Sequence, residues 1–298
     1  MRILVSGASG FLGTRLTKRL AEGGHEVSRL VRRDARGAAE ISWDPAAGRL
    51  DPAAVAPFDA VVNLSGANVG GWRWTTRYKE VLRASRVDTT GTLARTLAAL
   101  PADARPRVLI SSSGINWYGE TGDRVADEHS PPGAGFLADL CKVWEAATQP
   151  ARDAGVRVVL MRSGQAMHKS GGYLKPQMLP FRLALGGKLG NGRQWMPWIS
   201  MEDWLAAVEF LLERDDIAGP VNVVSPDSVT NAEFTKAFGA ALHRPTVMPI
   251  PAFALRVALG GLSVEALASV RARPGVLIDA GFAWRYPDVR EALAAAVR

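Results

Sequence analysis

Arg2-Ile-Leu-Val-Ser6 runs without a break into Gly7-Ala-Ser-Gly10-Phe-Leu-Gly13 and on into Thr14 to Glu22. The apolar, β-branched start has the composition of a fully buried strand. Leu16 and Leu20 lie four apart, so Thr14 to Glu22 reads as a helix with one apolar face, stopped by Gly23-Gly24. Glu26-Val-Ser-Arg-Leu-Val31 reads as a second strand. Strand, glycine turn, helix and strand thus follow one another within about 30 residues, the context in which glycine spacing acquires meaning. Gly7 permits a tight turn, Gly10 lets backbone approach a pyrophosphate, and Gly13 lets the helix pack close on the strand. The helix N-terminus offers free N–H groups and a positive dipole end to phosphate. The spacing is G-x-x-G-x-x-G, and its position between two strands favours dinucleotide binding over a glycine-rich turn of another kind.

The second strand ends in Arg32-Arg33, where an NAD site places a carboxylate for the ribose 2′-hydroxyl. A carboxylate there repels a 2′-phosphate, whereas an arginine pairs with it through a planar, charge-assisted fork. The pair favours NADP(H) over NAD(H). The alternative is that both arginines only solvate a loop.

Further along, Ala39 to Trp43 is a short strand candidate, and Phe58 to Leu64 is a buried one that ends in Ser65-Gly66-Ala67. Thr75 or Thr76 caps a long helix to about Leu100, and Arg107 to Ile110 is a strand entering Ser111-Ser-Ser-Gly114. Phe136 to Ala154 reads as one helix and Val156 to Met161 as another buried strand. Strands alternating with helices predict an α/β fold: a Rossmann-type, doubly wound parallel sheet with a smaller C-terminal lobe. The expected division is 1–164 for the nucleotide domain, with helix 200–214 and strand 221–224 returning to it. Segments 165–199 and 225–298 then form the lobe. Thr230-Asn-Ala-Glu233 matches a capping box.

At 298 residues and 47% hydrophobic, the chain has ample material for a sizeable core. No apolar run reaches the length of a membrane span, and a fold beginning at residue 2 predicts no signal peptide. The single cysteine, Cys141, excludes an intrachain disulfide and suits a reducing cytoplasm. Net charge is +7, from 36 basic and 29 acidic residues, but the arginines are dispersed and form no nucleic-acid motif. Anionic small molecules account for the balance more simply than a nucleic acid does. The four histidines, at 25, 129, 168 and 243, show no ligand spacing, so no metal site is expected.

With these elements placed, the chain resembles an extended short-chain dehydrogenase/reductase. The residues that carry this are Gly7 to Gly13, Asn63-Leu-Ser-Gly-Ala67, Ser111-Ser-Ser113, Tyr118-Gly119 and Asp127-Glu128. It is more closely similar to the atypical subgroup of epimerase family proteins that includes the human member of family 39U. Ser85-Arg86 with Thr89-Thr90, Trp144-Glu145, Arg162-Ser-Gly164, Pro180 to Gly187, Pro197-Trp-Ile199 and Thr230 to Phe234 carry that closer match. The resemblance implies bound NADP(H). It implies that Gly7, Ser9, Gly10, Phe11, Leu12 and Gly13 line the pyrophosphate, with Arg32 and Arg33 toward the 2′-phosphate. Leu64, Ser65 and Gly66 fall to the adenosine side. Glu80 and Arg86 approach the cofactor from the long helix, and Ser111, Ser112 and Met161 from the strands.

The resemblance also implies a catalytic Tyr and Lys four residues apart, the ammonium lowering the phenol pKa for proton exchange. Counted back from Glu145, those places hold Leu137 and Cys141, and none of Tyr78, Tyr118, Tyr173 or Tyr286 has a lysine four residues on. Ser113 and Tyr118 are the expected substitutes. Asp127-Glu128 reads as a pair of loop charges. Trp72, Trp74, Trp117, Trp195 and Trp198 suggest an aromatic pocket near the strand ends. The expected activity is an NADP(H)-binding oxidoreductase or epimerase-like enzyme acting on a small molecule. A non-catalytic NADPH-sensing protein is the second reading, and an RNA-associated protein on the same fold a third.

Overall fold

A buried, β-branched run needs hydrogen-bonded neighbours on both edges, and the chain supplies them. In the computed structural model, which describes residues 1–70 and 74–298, the first strands are β1 (Arg2–Ser6), β2 (Glu26–Val31), β3 (Glu40–Ser42), β4 (Ala60–Asn63) and β5 (Val108–Gly114). With the strands Arg157–Ser163 and Gly219–Val223 they form a seven-stranded sheet. Its order is Gly219–Val223, Arg157–Ser163, β5, β4, β1, β2, β3. Pairing is parallel from β5 through β3, with Ile3 opposite both Val27 and Ala60. The Rossmann-type expectation is met.

The chain divides into two compact units. The first comprises Met1–Ser113, Leu140–Met161 and Val208–Pro220; the second comprises Gly114–Asp139, Arg162–Ala207 and Val221–Arg298. Segment 114–139, expected in the nucleotide domain, therefore groups with the second unit, as do the start of the helix Met201–Glu213 and residues 221–224, and only 208–220 of the expected return groups with the first.

Helix α1 spans Phe11–Glu22, three residues longer at its start than the apolar spacing predicts, because Gly10 rather than a side chain stands at its N-cap. The long helix Thr76–Ala99 is capped by Thr75, whose hydroxyl accepts from the Tyr78 N–H at 3.1 Å. Leu4, Leu93, Leu97, Val61 and Leu109 are completely buried in the core of the first unit, each contributing roughly 1.5–3 kcal/mol. The single helix expected over 136–154 is two, Phe136–Ala146 and Gln149–Asp153. Thr148 bonds back to Glu145 through both its N–H and its hydroxyl, and Pro150 has no N–H with which to continue the ladder.

The second unit has its own core around Met167, Leu174, Trp198, Phe234, Phe238 and Leu293. Thr230 and Glu233 form the expected capping box at the start of Asn231–Ala241. Two-residue ladders join Trp195–Met196 to Val229–Thr230 and Val125–Ala126 to Arg271–Ala272. Among the described residues no helix is long and apolar enough to cross a membrane.

One polar group inside the first unit links several elements. Asn63, fully buried at the end of β4, accepts from Ser6 Oγ at 2.6 Å and from the Ser65 N–H at 3.3 Å. Its Nδ2 donates to Thr90 Oγ1 at 2.8 Å and Ser111 Oγ at 3.3 Å. Thr90 in turn accepts from Trp144 Nε1 at 3.0 Å. Removing the amide strands several buried polar groups, each at about 1–3 kcal/mol. Asn63→Ala is therefore expected to lower stability by about 2–5 kcal/mol, read as a reduced urea midpoint at unchanged slope. A loss below about 1 kcal/mol contradicts this account of the hub.

Candidate functional site

The turn between β1 and α1 separates its three glycines by what each must avoid. Gly7 has φ +69°, and a Cβ there would stand 2.5 Å from Leu64 O. A Cβ on Gly13 would lie 2.2 Å from Gly7 O. Both are glycine because the protein's own backbone passes too close for anything larger. Gly10 differs: its backbone is extended and a Cβ meets only Gly7 O, at 3.2 Å. A side chain there requires the Gly7 carbonyl to give by a few tenths of an ångström, so internal packing opposes it far less than at Gly7 or Gly13. Ser9 and Gly10 are exposed, Phe11 and Leu12 half-buried. The α1 N-cap has no side-chain acceptor, which leaves its first N–H groups turned to this concave turn.

The two arginines after β2 are not equivalent. Arg33 grips Glu40 with both guanidinium nitrogens at 2.7 Å. That fork holds the Glu40 carboxyl down at about 2. Arg32 is exposed, and its side chain makes no hydrogen bond or ion pair among the described residues. Deeper in the same unit, Arg86 is 7% exposed and points at the backbone of Gly66, where a Cβ would stand 3.1 Å from its Cζ. It donates to Leu82 O and Ala67 O, both at 3.1 Å, and lies 4.9 Å from the Trp144 ring centroid. Burial lowers its pKa. Leu64 and Ser65 are half-buried, Gly66 and Glu80 exposed, and Ser111 and Met161 buried.

The two hydroxyls expected to handle protons are both committed elsewhere. Tyr118 is completely buried; its OH donates to Asn222 Oδ1 at 2.7 Å and accepts from Arg162 Nη1 at 3.1 Å. Burial pushes that phenol up to about 12. It is a core group of the second unit and not an open proton donor. Ser113, also buried, donates to Glu145 Oε1 at 2.6 Å. Ser112 is half-buried. Leu137 and Cys141, which the resemblance puts in the places of the usual pair, are both buried.

Asp127 and Glu128 are not a pair of loop charges. Asp127 closes a local turn through Ser130 Oγ and the His129 N–H. Glu128 is buried and accepts from the N–H groups of Asn222, Gly275 and Val276 at 2.9, 3.1 and 3.2 Å. The expected aromatic pocket is mostly core. Trp198 is buried and donates to Asp227 O, while Trp117 stacks on Arg162 at 4.0 Å. Trp74 donates to Val69 O, and Trp72 lies outside the described residues. Trp195 alone of the described four lines the cavity discussed next.

That cavity, about 180 Å³, belongs to the second unit. Ile115 and Asn116, which directly follow β5, and Gly164 and Gln165, which directly follow the Arg157–Ser163 strand, supply part of its wall. Trp195, Met196, Pro197 and Val270 give it an apolar lining, and Gln194 and Glu265 enter from later segments. Glu265 Oε2 accepts from Asn116 Nδ2 at 3.1 Å. Gln165 Oε1 is buried without a hydrogen-bond partner among the described residues. A larger furrow between the helices Asn231–Ala241 and Val289–Val297 has walls of mixed charge and takes nothing from the segments after β5. Asn116, Gln165 and Glu265 were not legible as site residues, since no motif or spacing marks them. Their position directly after a strand, or on a short helix among apolar residues, is the only signal they carry. Among the described residues no His, Cys, Asp or Glu cluster is fit to hold a metal ion.

A parallel sheet of this order with a glycine turn at its first strand-to-helix junction defines a Rossmann-type α/β protein. Comparison with known proteins then fixes the family. Residues 3–224 match the NAD dependent epimerase/dehydratase family, and the chain belongs to it. Residues 250–296 match a domain of unknown function, DUF1731. The chain is 44% identical over 292 residues to Epimerase family protein Mb2239 of Mycobacterium bovis, covering 98% of this chain and 96% of that one. Human epimerase family protein SDR39U1 (isoform 2), crystallised with NADPH, superposes with a TM-score of 0.89 at 34% identity over 99% of both chains. A Corynebacterium glutamicum structure described as a nucleoside-diphosphate sugar epimerase gives a TM-score of 0.82 at 32% identity. That match covers 100% of this chain and 58% of the other. The resemblance drawn from the motifs is the one these comparisons return.

The contrast between the glycines is open to test. Gly13→Ala is expected to cost about 1–3 kcal/mol in a denaturant titration, the range for overpacking against rigid backbone. Gly10→Ala is expected to cost less than about 1 kcal/mol, the scale of losing a good N-cap residue. Equal losses at the two positions contradict the reading.

Proposed function

We propose that the chain is an NADP(H)-dependent oxidoreductase or epimerase-like enzyme that works without the Tyr/Lys pair common in its fold class. The observation that carries the reading is Gly10, the glycine of the three that the protein's own packing demands least, at the uncapped start of α1. A backbone cradle that a side chain would fill suits a pyrophosphate. Gly7, Ser9, Gly10, Phe11, Leu12 and Gly13 form that cradle. Arg32, without a hydrogen bond or ion pair among the described residues, is the residue to pair with a 2′-phosphate, while Arg33 neutralises Glu40, whose charge would otherwise repel it. Leu64, Ser65 and Gly66 border the adenosine side, and Arg86 supports them from the long helix. Glu80, Ser111, Ser112 and Met161 complete the assignment. The human relative's NADPH supports it.

Bound NADP(H) supplies hydride chemistry; the chain's own contribution is to hold the cofactor and to exchange a proton with the substrate oxygen. Tyr118 and Ser113 are engaged in the interior, so the proton group is sought elsewhere. A second reading, an NADPH-sensing protein without turnover, is favoured by the buried Leu137 and Cys141, which the resemblance puts in the places of the usual pair. NADPH oxidation across a panel of carbonyl compounds separates the two, and its complete absence favours the sensor. The buried Cys141 is in keeping with a reducing cytoplasm.

Isothermal titration calorimetry tests the cofactor assignment. NADPH is expected to bind more tightly than NADH. Arg32→Ala is expected to erase about 1.5–3 kcal/mol of that preference, the scale of a charge-assisted contact. Gly10→Val is expected to abolish binding while the circular dichroism spectrum stays native. Equal affinity of the wild type for NADPH and NADH, or NADPH binding by Gly10→Val within about threefold, overturns the assignment.

A further inference from the structure

The small cavity of the second unit is one-sided in its polar chemistry. Its lining includes Glu265, Gln165 and Gln194, and it includes no lysine, arginine or histidine. Glu265 lies on the short helix Leu262–Leu267, and its carboxyl is held by two N–H donors, Asn116 Nδ2 at 3.1 Å and the Leu137 backbone. Both bonds favour the ionised form. Burial opposes them and raises the pKa, and no ionised side chain is among the causes of that shift. Tyr173, the other titratable group of the lining, stays neutral, its phenol pushed up to about 12 by burial.

The two glutamines add acceptors that nothing satisfies. Gln194 is 7% exposed, and its Nε2 donates to Leu189 O at 3.1 Å. That bond fixes the amide's orientation, since only the NH2 end can donate to a carbonyl. Its Oε1 makes no hydrogen bond among the described residues. Gln165 Oε1 is buried and is unpartnered in the same way. The rest of the wall is apolar and includes Ile115, Trp195, Met196 and Val270. Arg271 stacks on the Trp195 ring at 4.1 Å and donates to Asp123 O at 3.3 Å, while Trp195 Nε1 donates to Asp123 Oδ1 at 2.8 Å. Neither Arg271 nor Asp123 lines the cavity. The volume of about 180 Å³ is below the roughly 300–1,000 Å³ of sites for drug-sized ligands.

We propose that this cavity binds a small primary alkylamine in its ammonium form, with Glu265 as the counter-ion and Gln165 and Gln194 as further acceptors. An ammonium group has three donors and one positive charge, which matches in number one carboxylate and two amide oxygens. The apolar wall takes the alkyl chain. An alcohol of the same length brings a single O–H and leaves the carboxylate without a counter-ion. A phosphate or a carboxylate meets like charge and no cation, and burying it there is costly. The site goes beyond the cofactor reading and is independent of it, because every residue it uses belongs to the second unit.

The experiment uses the full chain, free of cofactor, with carbon-13 in the glutamate side-chain carboxyls. Glu265→Gln, checked for native circular dichroism, identifies the Glu265 resonance. Its titration midpoint is expected above the roughly 4.3 of a solvated glutamate. The chlorides of n-propylammonium and n-butylammonium are expected to shift the resonance saturably and to lower the midpoint, because a bound cation favours the ionised carboxyl. Butan-1-ol, sodium butyrate and sodium chloride at the same concentrations are expected to leave both in place. By calorimetry, Glu265→Gln is expected to weaken butylammonium binding by about tenfold or more, and Gln165→Leu by about three- to tenfold. The wild type alone supplies a further check: butylammonium affinity is expected to rise with pH through the Glu265 midpoint and then level off. A resonance that neither amine moves, or that butanol or salt moves equally, overturns the proposal. So does an affinity indifferent to pH or to Glu265→Gln.

Discussion

Asn63 sets the constraint on which the first unit depends. An asparagine has two acceptor sites and two donors, and here all are spent: on Ser6 of β1, the Ser65 backbone, Thr90 of the long helix and Ser111 of β5. Through Thr90 the network reaches Trp144. Ser6 and Asn63 lie at the ends of β1 and β4, where the backbone begins to diverge toward its loops, and Ser111 lies opposite Asn63 within β5. In a dry interior a polar network of this kind is costly in any arrangement but the satisfied one. It therefore fixes the ends of β1 and β4 against the middle of β5, and with them the origins of the Gly7 turn and the Ser65-Gly66 bend.

The second unit uses the same device with other residues. Tyr118, Asn222 and Arg162 form a buried chain of donors and acceptors, and Asn222 Nδ2 continues it to Arg273 O at 2.9 Å. Glu128 accepts three backbone N–H groups beside it. The tyrosine that looked like a substitute acid is one of these structural bonds. Its phenol, pushed up to about 12 by burial, holds its proton throughout the physiological range. Reactivity and interior bonding make opposite demands on a hydroxyl, and Tyr118 satisfies the second.

The sheet was readable from the sequence because its determinants are local. A buried run, glycines at spacing three and an apolar pair four apart need no distant partner to be recognised. The capping box at Thr230 was legible for the same reason. The break at Thr148 was not, because apolar spacing continues across it while Pro150 and two back-bonds to Glu145 interrupt the ladder. The Arg32-Arg33 dipeptide was legible as a basic pair but not as one residue gripping Glu40 beside one without a partner among the described residues. That depended on Glu40, seven positions away and across a loop. Tyr118 and Glu265 were illegible for a stronger reason. Their partners stand 104 and 149 residues away in the chain, so only the fold decides that one hydroxyl is interior and one carboxyl lines a cavity.

The loop that follows Arg33 also shapes the border of the sheet. β3 has only three residues and is the last strand in the order. Glu40 and Ser42, two apart on it, take donors from the preceding loop: the Arg36 N–H at 2.9 Å and the Ala35 N–H at 2.8 Å. A strand this short, with a charge fork and a folded-back loop along it, makes a poor template for another chain. Parallel sheets of buried β-branched residues are prone to polymerise where a border is left long and open. Here the fork between Arg33 and Glu40 lies along that border, which leaves a short, charged edge rather than a long open one.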